Sequence, residues 1–238
     1  MGLPNQFNDI IQKDLNVHAA WLPITQNYNL GDYGLIADGV FSKLGNIKEF
    51  NVPFEQTTGP SVSIDYSSAN TRVTKFAGGA EVSTIPAGAI DAKISFLFEK
   101  AQSFLIKSPV INVSAIENVQ QVAAKLKNTK GWRRKWKVVY QIYFAQDAVV
   151  ISTVDSDTEI SFSGNASALK DLKIGNAGVE FSAKKKLGLD IQGKAGVIGL
   201  GLFKLKLIGG NTVFMSEEEK KQTDVFEDLN TVVLENDL

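Results

Sequence analysis

The feature that most constrains the fold is a strict alternation of residue type from Val179 to Gln192. The odd-numbered positions are apolar except for Lys185, and the even-numbered positions are polar or glycine. Because successive side chains of a β-strand point to opposite faces, this pattern predicts one long amphipathic strand over Val179–Gly193. Strands in globular proteins usually have about five or six residues, so a strand of this length indicates an unusually large sheet or a second use for the segment.

Two segments have helical spacing instead. Phe7, Ile10 and Ile11 predict a short helix over residues 5–15. Ser114 and Glu117 have the spacing of a capping box, in which each side chain satisfies a backbone donor at a helix start. A second helix is therefore predicted over residues 115–128. Its predicted apolar face consists of Ile116, Val119, Val122, Ala123 and Leu126.

The remaining sequence predicts strands. Gly31-Asp32, Asp38-Gly39 and Gly45-Asn46 separate short apolar runs, as tight turns do in a β-meander. The run "AKISFLFEKAQSFLIK", which starts at Ala92, predicts a strand of about a dozen residues. A few helices among many consecutive strands predict an α+β fold with a large, twisted, mostly antiparallel sheet and a few short helices.

Catalytic chemistry has few candidates in this chain. There is no cysteine, which excludes disulfides, thiolate nucleophiles and sulfur-ligated metals. His18 is the single histidine, and no nucleophile motif accompanies it, so we expect it to be a structural or a surface histidine. "GDYG" at 31–34 predicts a turn that presents Asp32 and Tyr33, and "DSDTE" at 155–159 predicts an acidic hairpin loop. We therefore predict no catalytic residue, no metal, no cofactor and no enzymatic activity.

Charge is distributed unevenly along the chain. Residues 211–238 contain eight acidic residues and two lysines, which gives a net charge of −6, and the other 210 residues carry +5. The sequence predicts a single β-rich domain over 1–210, followed by an acidic amphipathic segment over 211–238. No secretory signal and no run of about 20 apolar residues is recognised, so a cytoplasmic location is expected.

A basic segment with two tryptophans occurs at Lys130–Lys137. Its cations and indoles suit anionic lipid headgroups, or phosphate contact with base stacking, or a strand entry with core tryptophans and solvated charges. The charge of +5 is small for nucleic-acid binding, which depends on neutralising phosphates, so no nucleic-acid partner is expected. The candidate membrane-binding residues here are Trp132, Arg133, Arg134, Lys135 and Trp136.

The order of these elements resembles the pore-forming domain of the gasdermins. The resemblance covers roughly residues 90–208 and is carried by "KISFLFEKAQSFLIK", the predicted helix, "WKVVYQIYFAQDAVVISTV", the alternating strand and "IGLGLFKLKL". In that family an amphipathic hairpin region precedes a short helix, a hydrophobic strand and a second hairpin region. Bacterial gasdermins typically have a lipidated cysteine near the N-terminus, which this chain lacks.

The resemblance implies a cytoplasmic monomer that is held inactive by its C-terminal segment. After an unidentified protease removes that segment, the body would bind acidic membrane lipid, oligomerise and insert β-hairpins as a pore, killing the cell in bacterial defence. The implied inhibitory residues are Val225, Phe226, Leu229, Val232 and Val233.

In such a pore the alternating segment would cross the membrane as a strand. A membrane-spanning strand needs about 9–11 residues. A lysine on the lipid face costs about 2–4 kcal/mol at the bilayer midplane and little at the interface, so Lys184, Lys185 and Lys186 are expected near the headgroups. The alternative is a non-enzymatic β-rich binding or interaction protein with no membrane activity.

Overall fold

The computed structural model describes residues 2–170, 179–205 and 212–214. The helices are α1 (Leu3–Leu15), α2 (Val119–Lys127) and α3 (Ala166–Lys170), with a 3-10 helix at Ile47–Phe50. The strands are β1 (His18–Ala19), β2 (Asp32–Ala37), β3 (Val40–Asn46), β4 (Gln56–Thr58), β5 (Val62–Ser67), β6 (Thr71–Ala77), β7 (Ala80–Val82), β8 (Ala92–Phe98), β9 (Phe104–Ile116), β10 (Lys137–Thr153), β11 (Thr158–Gly164), β12 (Val179–Ala183), β13 (Leu187–Leu205) and β14 (Thr212–Phe214). Short helices among antiparallel strands confirm the predicted α+β class.

The first of two compact units is built from Met1–Gly59, Val113–Tyr143 and the described residues from Val197 on. Its strands lie in the order β1-β13-β10-β2-β3, and β14 pairs with β13. The turn between β2 and β3 has positive φ at Asp38 (52°) and Gly39 (74°), which confirms the predicted tight turn. Helix α2 contributes Val122, Ala123 and Leu126 to the core, where all three are fully buried.

Asp32 is the first residue of β2, and Asp32 and Tyr33 are both buried, so the prediction that a turn presents these two side chains is wrong. Its Oδ2 accepts a hydrogen bond from Asn29 N at 2.7 Å and lies 2.9 Å from Lys43 Nζ. Its Oδ1 accepts from Asn46 Nδ2 at 2.8 Å. Burial removes a carboxylate from water, which costs free energy. These three donors replace the lost water and so allow Asp32 to be buried as a charged group.

The second unit comprises Pro60–Asn112 and Phe144–Gly196. A five-stranded sheet lies in the order β12-β11-β8-β6-β7, and β5 pairs separately with β9. One face of the five-stranded sheet is apolar because alternate residues of its strands, including Phe96, Phe98, Ile160 and Phe162, are buried together. These side chains pack with Leu105, Val149, Ile151 and Leu169 in the core of this unit.

The opposite face of that sheet carries a row of hydroxyl groups. Thr74, Ser95, Ser161 and Ser182 are consecutive partners across β6, β8, β11 and β12. Ser161 Oγ and Ser182 Oγ are 2.8 Å apart, and Ser95 Oγ donates to Glu159 Oε1 at 2.6 Å. The sheet is therefore amphipathic, with one apolar and one polar face.

Four short connections each lead from one sheet to the other. They join β5 to β6, β8 to β9, β10 to β11, and β12 to β13, and we call them the four bends. Neighbouring bends are hydrogen-bonded: Glu99 N donates to Asn70 O at 3.2 Å, and Gln102 N donates to Thr153 O at 3.1 Å. Residues 155–157 lie in one of these bends, and Thr158 and Glu159 begin β11. The segment is not a hairpin loop, since β10 and β11 lie in different sheets.

The predicted continuous strand over Val179–Gly193 is wrong, because the chain bends at Lys184–Lys186 and separates β12 from β13. The predicted strand from Ala92 also ends early, at Phe98, where the chain bends through Glu99–Ser103. The alternation of residues 179–192 continues across the first of these bends, whereas Lys100 and Gln102 interrupt the apolar positions at the second.

The second predicted helix starts later than the capping-box spacing indicates. Ser114, Ala115 and Ile116 belong to β9, where they pair with Thr58, Thr57 and Gln56 of β4. Backbone pairing with a remote strand therefore replaces the predicted cap. Helix α2 begins after Asn118, whose side chain accepts from Glu55 N at 3.0 Å.

Candidate membrane-binding surfaces

The basic tryptophan segment forms two successive turns between α2 and β10. Trp132 N donates to Thr129 O at 3.2 Å, and Trp136 N donates to Arg133 O at 3.0 Å. Gly131 has a φ of +86°, a conformation that glycine adopts without steric cost. The second turn places Arg133 and Arg134 at its outer side, where both are exposed.

The two indoles of this segment pack inward. Trp132 and Trp136 are half-buried against the core of the first unit, in a cluster with Tyr33 and Phe50. The ring centroid of Tyr33 lies 5.4 Å from that of Trp132 and 4.6 Å from that of Trp136, and the two indoles are edge-to-face at 5.2 Å. Such pairs add about 0.5–1.5 kcal/mol beyond the area they bury. We call these four residues the aromatic cluster.

The cations of the segment remain accessible while the indoles are packed. The Arg133 guanidinium lies 6.0 Å from the Trp136 ring centroid, a distance at which cation–π attraction operates, and Lys135 is half-buried. Burial raises the pKa of Tyr33, and the nearby Glu49 carboxylate raises it further, so its hydroxyl stays neutral at physiological pH. In this conformation the segment presents positively charged side chains, and not exposed aromatic rings, to an anionic partner.

The second candidate surface is the bend at Lys184–Lys186 in the second unit, where all three lysines are exposed. Lys184 Nζ forms an ion pair with Glu159 Oε2, and Lys185 Nζ donates to Ser156 O at 2.7 Å. The hydrogen bond from Lys184 is the largest cause of a lowered pKa at Glu159, and the bond from Ser95 adds to it. Two of the three lysines are therefore engaged within the protein.

Several sequence predictions concern residues outside these two surfaces. The implied inhibitory residues Val225, Phe226, Leu229, Val232 and Val233 lie outside the described residues. Of the predicted segment 211–238, the structure describes β14, whose register pairs Phe203 with Phe214. Sequence reasoning missed the hydroxyl row, although the serines that lie between apolar residues in "KISFLF" and "EISFSG" are the signal that could have indicated it.

His18 is buried, so of the two expected positions it does not occupy the surface one. Burial lowers its pKa from 6.5 to about 4, so the imidazole is neutral at physiological pH. Within residues 2–170 and the later described segments, no group of three or more histidine or carboxylate side chains is placed to hold a metal ion. No helix in the described part of the chain is long and apolar enough to cross a membrane.

Comparison with solved structures finds five similar chains, which include the following two proteins. One is a bacterial gasdermin from Bradyrhizobium tropiciagri, with 13% sequence identity, a TM-score of 0.39 and coverage of 88% of this chain and 90% of that chain. The other is the Gasdermin A3 membrane pore, with 9% identity, a TM-score of 0.35 and coverage of 89% and 93%. Both are gasdermins, the family that the order of elements resembles. No protein-family model matches the chain, and no curated protein matches it in sequence.

Proposed function

We propose that this chain is a gasdermin-like pore-forming effector without enzymatic activity. It is an inactive monomer in the cytoplasm until a protease removes its C-terminal segment, and it then binds acidic lipid, oligomerises and inserts β-hairpins. Its biological outcome is cell death in bacterial defence.

The observation that carries this proposal is the order of the strands on either side of the four bends. Four strands of the five-stranded sheet lie in the order β12-β11-β8-β6, and the strands that continue from them pair in the order β13-β10-β9-β5. Every strand therefore has the same neighbours before and after its bend. Straightening all four bends would join the pairs into one four-stranded sheet without exchanging a single neighbour.

The lengths of the joined strands fit a membrane. Strands β6, β8 and β11 have seven residues each and β12 has five, which is short of the about 9–11 that a spanning strand needs. Strands β9, β10 and β13 have 13, 17 and 19 residues. Each joined pair would exceed the required length.

The two faces of the five-stranded sheet fit the two sides of a barrel wall. A membrane barrel presents apolar side chains to lipid and polar side chains to its lumen, with a period of two residues. The buried phenylalanines and isoleucines of β8 and β11 would face lipid, and the hydroxyl row would face water. In the inactive form these apolar residues are covered within the second unit.

Electrostatics supports an anionic membrane as the partner. The exposed Arg133 and Arg134, and the lysines at 184–186, are cations that an anionic headgroup can contact, at about 1 kcal/mol each near the surface. We assign the membrane-binding role to these residues together with Lys135 and the two indoles of the aromatic cluster. Residues 211–238, at −6, are the proposed inhibitor.

The test uses the full-length chain with a specific protease site inserted after Ser216. The folded protein is mixed with dye-loaded anionic vesicles and then cut. We expect dye release only after cutting, and much less release from zwitterionic vesicles. Cut protein that keeps its circular dichroism spectrum but releases no dye from anionic vesicles would overturn the proposal and favour the interaction-protein alternative.

A matched pair of charge reversals tests the lipid contact. We expect Arg133→Glu with Arg134→Glu to reduce release by tenfold or more, since about 1 kcal/mol is lost per cation and repulsion is added. The control, Lys125→Glu with Lys127→Glu, makes the same charge change at exposed positions of α2. Equal effects of the two pairs would show that only net charge matters and not the proposed surface.

A further inference from the structure

We propose that the connection between β6 and β8 is the first part of the second unit to enter the bilayer, with Ile90 as its anchoring side chain. This connection covers residues 78–91, includes β7 and is called the first distal connection. The inference rests on the proposed function and adds to it which hairpin leads and which residue meets the hydrocarbon.

The topology places a connection of this kind at the far end of each proposed hairpin. Strands β6, β8, β11 and β12 each have a bend at one end. At their other ends, the first distal connection joins β6 to β8, and residues 165–178, the second distal connection, join β11 to β12. Each hairpin stays attached through its bends to the remaining strands. The distal connections must therefore lead when the hairpins cross a membrane.

The two distal connections differ in charge. The first contains Glu81 and, at its base, Asp91, and its run "STIPAGAI" at 83–90 has no charged residue. The second contains three charged residues, namely Lys170, Asp171 and Lys173. Each charged side chain costs free energy at the bilayer midplane, and lysine costs more than the acidic residues do. The first distal connection therefore enters hydrocarbon at the lower cost.

The first distal connection also exposes an apolar side chain. Ile90 is 87% exposed, more than any other large apolar side chain in the described part of the chain, and the next, Leu44, is 53% exposed. Ile85 and Ala89 pack against the core of the second unit and hold the connection on it. Ile90 is thus kept in water, and its transfer into hydrocarbon would be favourable.

Ile90 is in phase with the face that the proposed pore turns to lipid. The apolar face of β8 is formed by residues at every second position: Ala92, Ile94, Phe96 and Phe98. Side chains two positions apart share one face of a strand, and Ile90 precedes Ala92 by two positions. Gly78 N donates to Asp91 O at 2.9 Å, so hydrogen bonding between the two chain segments already continues beyond β6 and β8. Extending β8 by two residues would add Ile90 to the lipid-facing row.

A fluorescent probe at a single cysteine tests the anchor, because the chain has no native cysteine. An environment-sensitive dye is attached to Ile90→Cys, to Ser167→Cys of the second distal connection, or to Leu44→Cys of β3, each in the chain with the protease site after Ser216. We expect the dye at 90 to report water in the uncut protein. After cutting with anionic vesicles present, it should report hydrocarbon before the dye at 167 does, and the dye at 44 should stay in water.

Three results would overturn the anchor. Apolar surroundings at 90 without vesicles would show that another part of the chain, or a second copy, covers this residue. Bound protein whose dye at 90 stays in water would show that the residue does not enter the bilayer. An earlier change at 167 than at 90 would show that the other hairpin leads.

Dye release from vesicles tests the same residue without a label. We expect Ile90→Ser to lower release at limiting protein about tenfold or more, since burial of one isoleucine in hydrocarbon is worth at least that factor. Ile90→Leu should keep the parent's release, and so should the control, Leu44→Ser. Equal release from Ile90→Ser and the parent would overturn the anchor and leave pore formation intact.

Failure of the anchor and failure of the pore give different results. Absence of release from the cut parent protein would overturn pore formation, and the dye at 90 would then decide on the anchor alone. Entry of that dye into hydrocarbon without release would support an anchor on a membrane-attached protein. No change of the dye in the presence of vesicles would overturn the anchor as well.

Discussion

Replacing Asp32 with alanine should destabilise the first unit by about 3–5 kcal/mol, more than any change to its charged partner. The carboxylate is fully buried and accepts from Asn29 N, Asn46 Nδ2 and Lys43 Nζ. Its loss leaves Asn29 N without an acceptor and leaves Asn46 Nδ2 with Leu30 O alone, at about 1–3 kcal/mol for each lost bond, and also opens a small cavity. Lys43→Ala should cost about 1–2 kcal/mol, since the Lys43 side chain is 37% exposed and water can take its place.

Urea denaturation followed by tryptophan fluorescence measures these costs, because all three tryptophans lie in the first unit. The double variant should cost less than the sum of the single variants, as expected for groups in direct contact. Asp32→Ala and Lys43→Ala could instead lower the free energy of unfolding equally, or Asp32→Ala could lower it by less than about 1 kcal/mol. Either result would refute the reasoning that the buried donors depend on this carboxylate.

Three further predictions concern stability. Burial lowers the pKa of His18 to about 4, so the unfolded chain binds a proton at this residue more readily than the folded chain does. The contribution of His18 to stability is complete above pH 6.5, and the free energy of unfolding should fall by about 3 kcal/mol towards pH 4. Denaturant titrations at both pH values should show this loss in the parent protein and not in His18→Gln. Leu126→Ala should cost about 2–5 kcal/mol in urea titrations, against less than about 0.5 for the exposed Lys127→Ala on the same helix. Gly34→Ala should cost about 3 kcal/mol or more by thermal denaturation, since its Cβ would lie 2.0 Å from Ser42 O, whereas Gly59→Ala, with its nearest atom at 3.6 Å, should cost far less.

Local patterns were sufficient where the structure depends on contacts near in sequence. Helical spacing indicated α1, and the same spacing identified the buried face of α2. The Asp38-Gly39 dipeptide indicated the turn between β2 and β3, because few residues adopt positive φ without strain. The amphipathic character of β12 was also evident from alternation alone.

The bends were not predictable, because their partners are remote in sequence. The acceptor of Lys185 is 29 residues away and that of Lys184 is 25 residues away, and no local pattern indicates either contact. The capping box failed for the same reason, since β4 pairs with residues 114–116. The inward packing of Trp132 and Trp136 likewise depends on Tyr33, about a hundred residues earlier in the chain.

The hydroxyl row across β6, β8, β11 and β12 has a consequence for how the sheet can be remodelled. A hydroxyl group can both donate and accept a hydrogen bond. It can therefore pair with more kinds of neighbour than a carbonyl, which only accepts, or an ammonium group, which only donates. If β11 moved by two residues along β8, Ser95 would face Ser163 instead of Ser161, and the same face would still be turned to the same side. The polar face therefore keeps a hydroxyl opposite a hydroxyl at this position in either alignment, and the cost of a shift lies in the backbone hydrogen bonds between the two strands, which must break and form again.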